Sequence, residues 1–214
     1  MINVETTTRS WMDPADMSWQ ASPSSHVQRK RFYLDGEAES GRVTSLVRYL
    51  PDARFKRHGH PQGEEILVLD GIFSDASGDW GTGTWLLNPE GYAHAPYSGP
   101  GCLLFVKLRQ YTGTYRRAIA LDSLPWEAAD GYCYRDLDVR PDSRTRVLSL
   151  PAHAAITCPA DGLEGFVVQG QVIIWDRVLG QHSWFRVPAG DRPIIESGQD
   201  CLLYVEERGQ FVPP

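Results

Sequence analysis

The chain has 214 residues, a formal net charge of −6 and a pI near 5.5. Its 21 lysines and arginines against 27 aspartates and glutamates argue against a phosphate-backbone partner, which needs a basic face, so no nucleic-acid partner is expected. At 42% hydrophobic it can fill a core, no apolar run approaches the roughly 20 residues that span a bilayer, and MINVETTTRS is not a basic-then-apolar leader; a cytoplasmic protein with no membrane partner is expected.

Residues 1–25 are polar with isolated Trp11 and Trp19, and are read as an N-terminal arm. Beyond them the apolar stretches are short, rich in β-branched and aromatic residues, and closed every eight to twelve residues by Gly, Pro, Asn or Asp. That pattern predicts an all-β sandwich or barrel. Strands are expected over 43–48, 53–57, 65–69, 84–88 and 102–108. A second set is expected over 146–150, 166–168, 171–176, 183–187 and 201–206. The stretch 124–136 is where a short helical turn is expected between the sets. Cys102, Cys133, Cys158 and Cys201 have no CxxC spacing and are too sparse for a disulfide scaffold.

An internal repeat organises the two sets. Shifted by 99 positions, residues 65–106 meet 164–205 without a gap, with 13 identities in 42 positions. They include Glu65/Glu164, Gly71/Gly170, Trp85/Trp184, Pro89/Pro188, Ser98/Ser197 and Cys102/Cys201. Turn glycines and core residues dominate, which specifies a backbone more than a chemistry. The chain therefore reads as two copies of one β unit, over 26–120 and 121–214.

One cluster carries chemistry: His58-Gly59-His60-Pro61-Gln62-Gly63-Glu64, followed by Pro89, Gly91 and His94. Alternate residues of a strand share a face, so His58 and His60 point the same way with roughly 6.6 Å between their Cα atoms. Pro61-Gln62-Gly63 is a turn signal that returns Glu64 beside them. His94 arrives from another strand after the turn at Pro89. Three imidazoles and one carboxylate form a divalent-metal site with nitrogen and oxygen donors. Glu65 falls on the opposite strand face.

Other residues have plainer readings. Cys102 and Cys201 occupy equivalent core positions and read as buried thiols. Lys107 is expected on an exposed strand face, with entry into the barrel towards an anionic ligand as its alternative. Trp85, Tyr97 and Phe105 either line the pocket or fill the core. His26, His153 and His182 read as surface or capping residues. The sequence holds no G-x-S-x-G elbow and no phosphate loop.

The chain resembles the cupins. Their first motif, G(x)5HxH(x)3–4E(x)6G, is met by HGHPQGEEILVLDG, and their second, G(x)5PxG(x)2H(x)3N, by GTWLLNPEGYAHAPYS. The leading glycine of the first is absent and Ser98 stands where the second ends in Asn. The phrases VTSLVRYLP, HGHPQGEEILVLDGIFSD, GTWLLNPEGYAHAP and GCLLFVKLRQ are similar to the ChrR-type cupin domain, the C-terminal half of a zinc anti-sigma factor. The resemblance implies two tandem cupin barrels (double-stranded β-helix jelly rolls) and the ligands His58, His60, Glu64 and His94. It also implies one divalent metal ion per chain, zinc first, with iron, nickel or manganese open. A small-molecule ligand, a role in small-molecule or oxidative-stress sensing or regulation, and pairing as a homodimer through outer sheets follow from it too. The alternative it implies is a mononuclear non-haem dioxygenase acting on small diketones or aromatic ketones. The His-x3-Cys-x2-Cys motif that such anti-sigma factors use to grip a sigma factor is absent, so sigma-factor binding has no residues to support it.

In the second copy no ligand survives. Glu64 falls on Leu163 and His94 on Pro193; His58 and His60 fall on Thr157 and Pro159, or on Cys158 and Ala160 if the Leu-Pro pairs are aligned. One metal, in the N-terminal barrel, is expected.

Overall fold

The computed structural model describes residues 1–24 and 26–211. Among them, two short 3-10 turns, Pro14–Asp16 and Leu121–Ser123, are the only helical elements; everything else is strand, turn or loop. No helix among the described residues is long and apolar enough to cross a membrane. The chain divides into two compact units, one made of Met1–Val4 with Met17–Ser123, the other of Glu5–Asp16 with Leu124–Pro214.

In the first unit one sheet runs in the order Arg117–Ala120, Thr84–Asn88, Glu64–Asp75, Cys102–Leu108, Arg42–Tyr49, Val27–Asp35. Ile66, Val68, Leu86, Leu104 and Val106 alternate inward and pack with Val27, Val47 and Tyr49. The residues between them, Leu67, Trp85 and Phe105, are buried as well. Burial on both faces is why these strands read as nearly unbroken apolar runs.

A bulge then re-aims the longest strand. Leu104 stands opposite Val68 but Leu103 opposite Asp70, so Leu69 is an extra residue. A bulge reverses the alternation beyond it. Phe73 thereby joins the core, and Asp75 comes to the side occupied by Glu64. Gly71 follows with φ 75°, and a Cβ there would lie 2.1 Å from the Gly101 carbonyl oxygen. Only glycine fits such a position.

The second unit repeats this design 99 residues on. Its sheet runs Trp184–Val187, Leu163–Gln169, Cys201–Arg208, Ser143–Leu150, Tyr132–Val139. Its bulge lies between Val167 and Gln169, and Gly170 follows with φ 82°. The Trp85 indole N–H donates to Glu65 over 2.7 Å, and Trp184 donates to Glu164 over 2.7 Å. Both sheets close into jelly-roll-like barrels, and the all-β expectation holds.

Residues 1–25, expected as one arm, divide between the units. Ile2 bridges to Leu34 in the first unit, while Ser10–Met12 pairs with Trp184–Val187 at the sheet edge of the second. Trp19 lies under the cations of Lys30 and Arg48, whose charged groups stand 4.7 and 4.3 Å from its ring. The helical turn expected over 124–136 is instead a hairpin. Glu127–Ala129 pairs with Tyr132–Val139 across Asp130-Gly131, with Gly131 at φ 81°. An Asp-Gly pair between short apolar runs is a two-residue hairpin signal, and it overrides any local helical tendency.

Candidate metal centre

The turn between two strands builds the site. His58–Gly59 pairs with Ala93–His94, which puts His58 directly opposite His94. His60 follows one residue after that ladder, and its amide donates to the Tyr92 carbonyl. Gln62 at φ 56° and Gly63 at φ 71° then reverse the chain, so that Glu64 opens the long strand. Gly63 is wedged against the backbone of Asn88 and Tyr111, where a side chain would collide.

The three imidazoles converge. Ring centroids are 4.8 Å apart for His58 and His60, 5.3 Å for His58 and His94, and 4.8 Å for His60 and His94. One ligating nitrogen from each lies within 4.8 Å of the others. The Nε2 atoms of His60 and His94 are 2.9 Å apart, and the Glu64 Oε2 is 3.6 Å from His94 Nε2. Two donors bound about 2.1 Å from one ion stand roughly 3.0 Å apart at right angles and 3.4 Å at tetrahedral ones. The three-histidine group fits a metal site, and the Glu64 carboxylate adjoins it. His60, Glu64 and His94 are buried; His58 is the most open of the four.

Burial keeps the two inner imidazoles in the uncharged form that can bind a metal. Burial lowers the His60 pKa to about 4, with the neighbouring His58 and the Arg109 guanidinium acting in the same direction. Burial also lowers His94. At neutral pH both rings are therefore uncharged, with a lone pair to give. Burial raises the Glu64 carboxyl, and the Asn88 amide, donating over 3.0 Å to its Oε2, works against that rise.

Two residues of this shell escaped sequence reading. Asp75 Oδ2 lies 3.0 Å from His94 Nδ1, and it accepts from the Tyr92 hydroxyl over 3.0 Å, while Oδ1 accepts from the Ser77 amide. Although burial opposes it, these hydrogen bonds keep the Asp75 carboxyl below its usual pKa. An ionised Asp75 holds the His94 proton on Nδ1 and frees Nε2 to face the other donors. Plain strand alternation from Glu64 would turn Asp75 outward; only the bulge brings it in, and no sequence signal marks the bulge. Asn88 sits one residue before Pro89, at the end of a correctly read strand, and shares the parity of Leu86, so its inward aim was legible.

Beside the donors lies a cavity of about 700 Å³, lined by His58 and His60 and, further out, by charged side chains. A deeper pocket of about 70 Å³ continues past Glu64 between Tyr49, Phe55, Phe73 and Leu104. Trp85 and Phe105 are not among its walls. Trp85 is bonded to Glu65 on the far strand face, and Phe105 lies between Leu46 and Leu67 in the ladder. Tyr97 instead carries the Arg54 guanidinium over its ring at 5.4 Å. Lys107 is 1% exposed, which corrects the exposed reading, and it pairs with Glu65 in register, away from the cavity. Cys102 and Cys201 are buried thiols whose pKa burial raises to about 12. His153 is exposed, whereas His182 is half-buried and stacks on Phe166 at 5.9 Å.

The second unit settles which alignment of the copies is right. The Cys158 amide donates to Pro193 where His58 faces His94, and Gly190 donates to Ala160 as Gly91 donates to His60. His58, His60, Glu64 and His94 correspond to Cys158, Ala160, Leu163 and Pro193. Cys158 and Leu163 belong to an apolar cluster, and burial holds the Cys158 thiol protonated with a pKa near 12.

With this geometry in place, comparison with known proteins gives a definite result. Residues 7–112 match the family model described as the ChrR cupin-like domain. The chain carries a ChrR cupin-like domain. Structures similar to this chain include the protein Ylba from Escherichia coli, 12% identical, covering 100% of this chain and 96% of that one at a TM-score of 0.77. The bacterial pirin YhhW from Escherichia coli, in complex with nickel(II), is 15% identical over 97% of this chain and 100% of its own, with a TM-score of 0.70. The salicylate 1,2-dioxygenase of Pseudaminobacter salicylatoxidans is 13% identical over 78% of this chain and 71% of its own, with a TM-score of 0.61. At such identities the likeness is one of fold. No curated protein matches the sequence.

Proposed function

We propose that the protein is a bicupin whose first barrel binds one divalent metal ion through His58, His60, Glu64 and His94 and uses it to bind a small molecule, as a cytoplasmic sensing or regulatory protein. The observation that carries this reading is the cavity of about 700 Å³ that opens on His58 and His60. A structural ion would be sealed on all sides; this donor set has one face reachable by a molecule. The four cysteines are free thiols, as suits a reducing compartment. The ion would supply Lewis acidity or a redox centre at that open face. Asp75 and Asn88 fix the donors, and the apolar walls at Phe55 and Leu104 exclude water from the inner end of the pocket.

The reading is tested by elemental analysis of freshly purified protein. About one equivalent of a divalent metal per chain is expected, lost in the His58→Ala, His94→Ala double variant. Metal-free wild type would overturn it.

The same open face favours a second reading, a mononuclear non-haem dioxygenase. Four protein donors on an octahedral ion leave two positions for other ligands, whereas tetrahedral zinc would be closed by the same four. Oxygen uptake by iron-loaded protein with small diketones and aromatic ketones is the expected signal. No uptake across that panel leaves the binding role alone.

A further inference from the structure

The rim of the 700 Å³ cavity has a charge opposite to that of the molecule. Arg29, Arg54, Lys56, Arg57 and Arg109 line it, with Glu39 as the one carboxylate, on a chain whose net charge is −6. Glu39 is already committed: its oxygens meet Arg29 and Arg31 at 2.9 Å each. Lys56 and Arg57 have no acidic partner among the described residues. Arg109 is held at φ 61°, its amide donating to the Gly63 carbonyl over 2.9 Å. A non-glycine residue in that conformation is strained, and such strain persists where surrounding structure imposes it. From there its charge reaches His60.

The second barrel supplies an independent control. With Ser98 aligned on Ser197, the paired strands put Arg54 on Ala155 and the Lys56-Arg57 pair on the single residue Thr157. Arg29, opposite Val47, corresponds to Tyr134, opposite Leu148. Arg29, Arg54, Lys56 and Arg57 have no cationic counterpart in the copy that has no metal donors, whereas Arg109 belongs to the shared frame and is matched by Arg208, whose amide donates to Gly162 as that of Arg109 donates to Gly63. Surface cations serving solubility alone would have no reason to follow the ligands.

We infer that the first barrel recognises a small organic carboxylate, whose anionic group is held by Lys56 and Arg57 at the cavity mouth while its apolar body lies against Phe55 and Leu108. This rests on the reading of the barrel as a small-molecule site and names the class of molecule. A cavity of this size suits a ligand of ten to twenty heavy atoms, and a mixed lining of cations and apolar side chains selects an organic anion over an inorganic one. An ion pair with Lys56 and Arg57, both exposed at the mouth, adds to the affinity of an anion and nothing to that of a neutral analogue.

The test compares benzoylformate with 1-phenylpropane-1,2-dione, which has the same ring and adjacent carbonyls but no charge. Binding is measured by calorimetry on the purified full chain, as isolated and after metal removal. Benzoylformate is expected to bind at least tenfold more tightly than the dione, with an advantage that shrinks as salt is raised from about 20 to 500 mM. The Lys56→Gln, Arg57→Gln double variant is expected to erase that advantage, to leave dione binding within twofold, and to keep its metal content and melting temperature. Arg57→Lys alone is expected to retain most of the preference. Equal affinities, no binding of benzoylformate, or an unchanged preference in the double variant would each overturn the inference. A protein that holds no metal yet still prefers the anion would sink the metal reading and leave this one standing.

Discussion

The two barrels share a frame and differ in what fills it. Frame elements recur 99 residues apart: the bulge, Gly71 and Gly170, and the Trp-to-Glu hydrogen bond. The polar shell around the candidate metal site differs at every position, while the buried Glu65 and Ser98 recur as Glu164 and Ser197. His58, His60, Glu64 and His94 give way to Cys158, Ala160, Leu163 and Pro193. Asp75 becomes Ile174 and Asn88 becomes Val187, both buried in the apolar cluster. Asp75 and Asn88 are not expected to touch an ion, yet they disappear with the residues that would. A buried carboxylate or amide is costly without its partners, so once the donors go, their supports are better replaced by hydrocarbon. The polar shell behaves as one unit, kept whole or lost whole.

The frame is where substitution should cost most, and equally in both copies. Gly71→Ala and Gly170→Ala would each set a Cβ against a backbone oxygen, at 2.1 and 2.4 Å, in a left-handed conformation. Each is expected to cost about 4 kcal/mol or more in urea unfolding. A mild effect in one barrel alone would show that the copies no longer depend on the same turn.

Exchanging the interiors should cost less and asymmetrically. Leu163→Glu places a carboxylate among Val167, Phe185 and Val187 with no imidazole or amide to meet it. A loss of about 3 kcal/mol is expected at pH 7, shrinking towards pH 5 as the acid protonates. Glu64→Leu in metal-free protein should change stability by under about 1 kcal/mol, because the loss of the Asn88 bond is offset by relief of a buried charge. It should abolish tight metal binding. Equal penalties for the two exchanges would mean the barrels are more alike inside than their sequences.

The pH dependence separates the copies again. His60 is lowered to about 4 in the folded protein, against 6.5 when exposed, so the unfolded chain takes up a proton that the folded one refuses. The stability this represents is complete above pH 6.5 and is lost as pH falls towards 4. Between pH 7 and pH 5 metal-free protein should lose about 2 kcal/mol from this group, with His94 shifted in the same direction. The second barrel offers His182 alone, lowered by burial beside Phe166. Chemical unfolding at both pH values, in wild type and His60→Leu, checks this. A variant as acid-sensitive as wild type would move the cause elsewhere.

Much of this was legible. Thr84–Asn88 and Cys102–Leu108 match their expected spans because apolar runs bounded by Gly and Pro leave few alternatives. The nearness of His58 and His60 to Glu64 was legible, because a strand, a tight turn and a second strand return Glu64 beside them, and His94 was placed by the turn at Pro89. Val27–Asp35 was missed because Gln28, Arg29 and Lys30 hide a strand whose later residues, Phe32 to Leu34, are buried. Ser10–Met12 was missed because its partner lies some 170 residues on, beyond the reach of any local signal. Asp75 was missed for a different reason: a single inserted residue inverts its face, and periodicity carries no record of insertions.

Asp75 therefore gives the smallest and most specific test. Asp75→Asn keeps the shape and can still accept the His94 proton through its amide oxygen, but it removes the charge that fixes the tautomer. Supporting residues of this kind are worth about 10- to 100-fold in metal affinity. The low end is expected here, about tenfold, since Tyr92 and Ser77 still hold the side chain in place. Competition with a chelating dye reads the affinity, and unfolding of the metal-free variant should move by less than about 1 kcal/mol. A large stability loss with unchanged affinity would make Asp75 part of the frame. The second barrel argues against that outcome, because its frame stands with Ile174 in the same place.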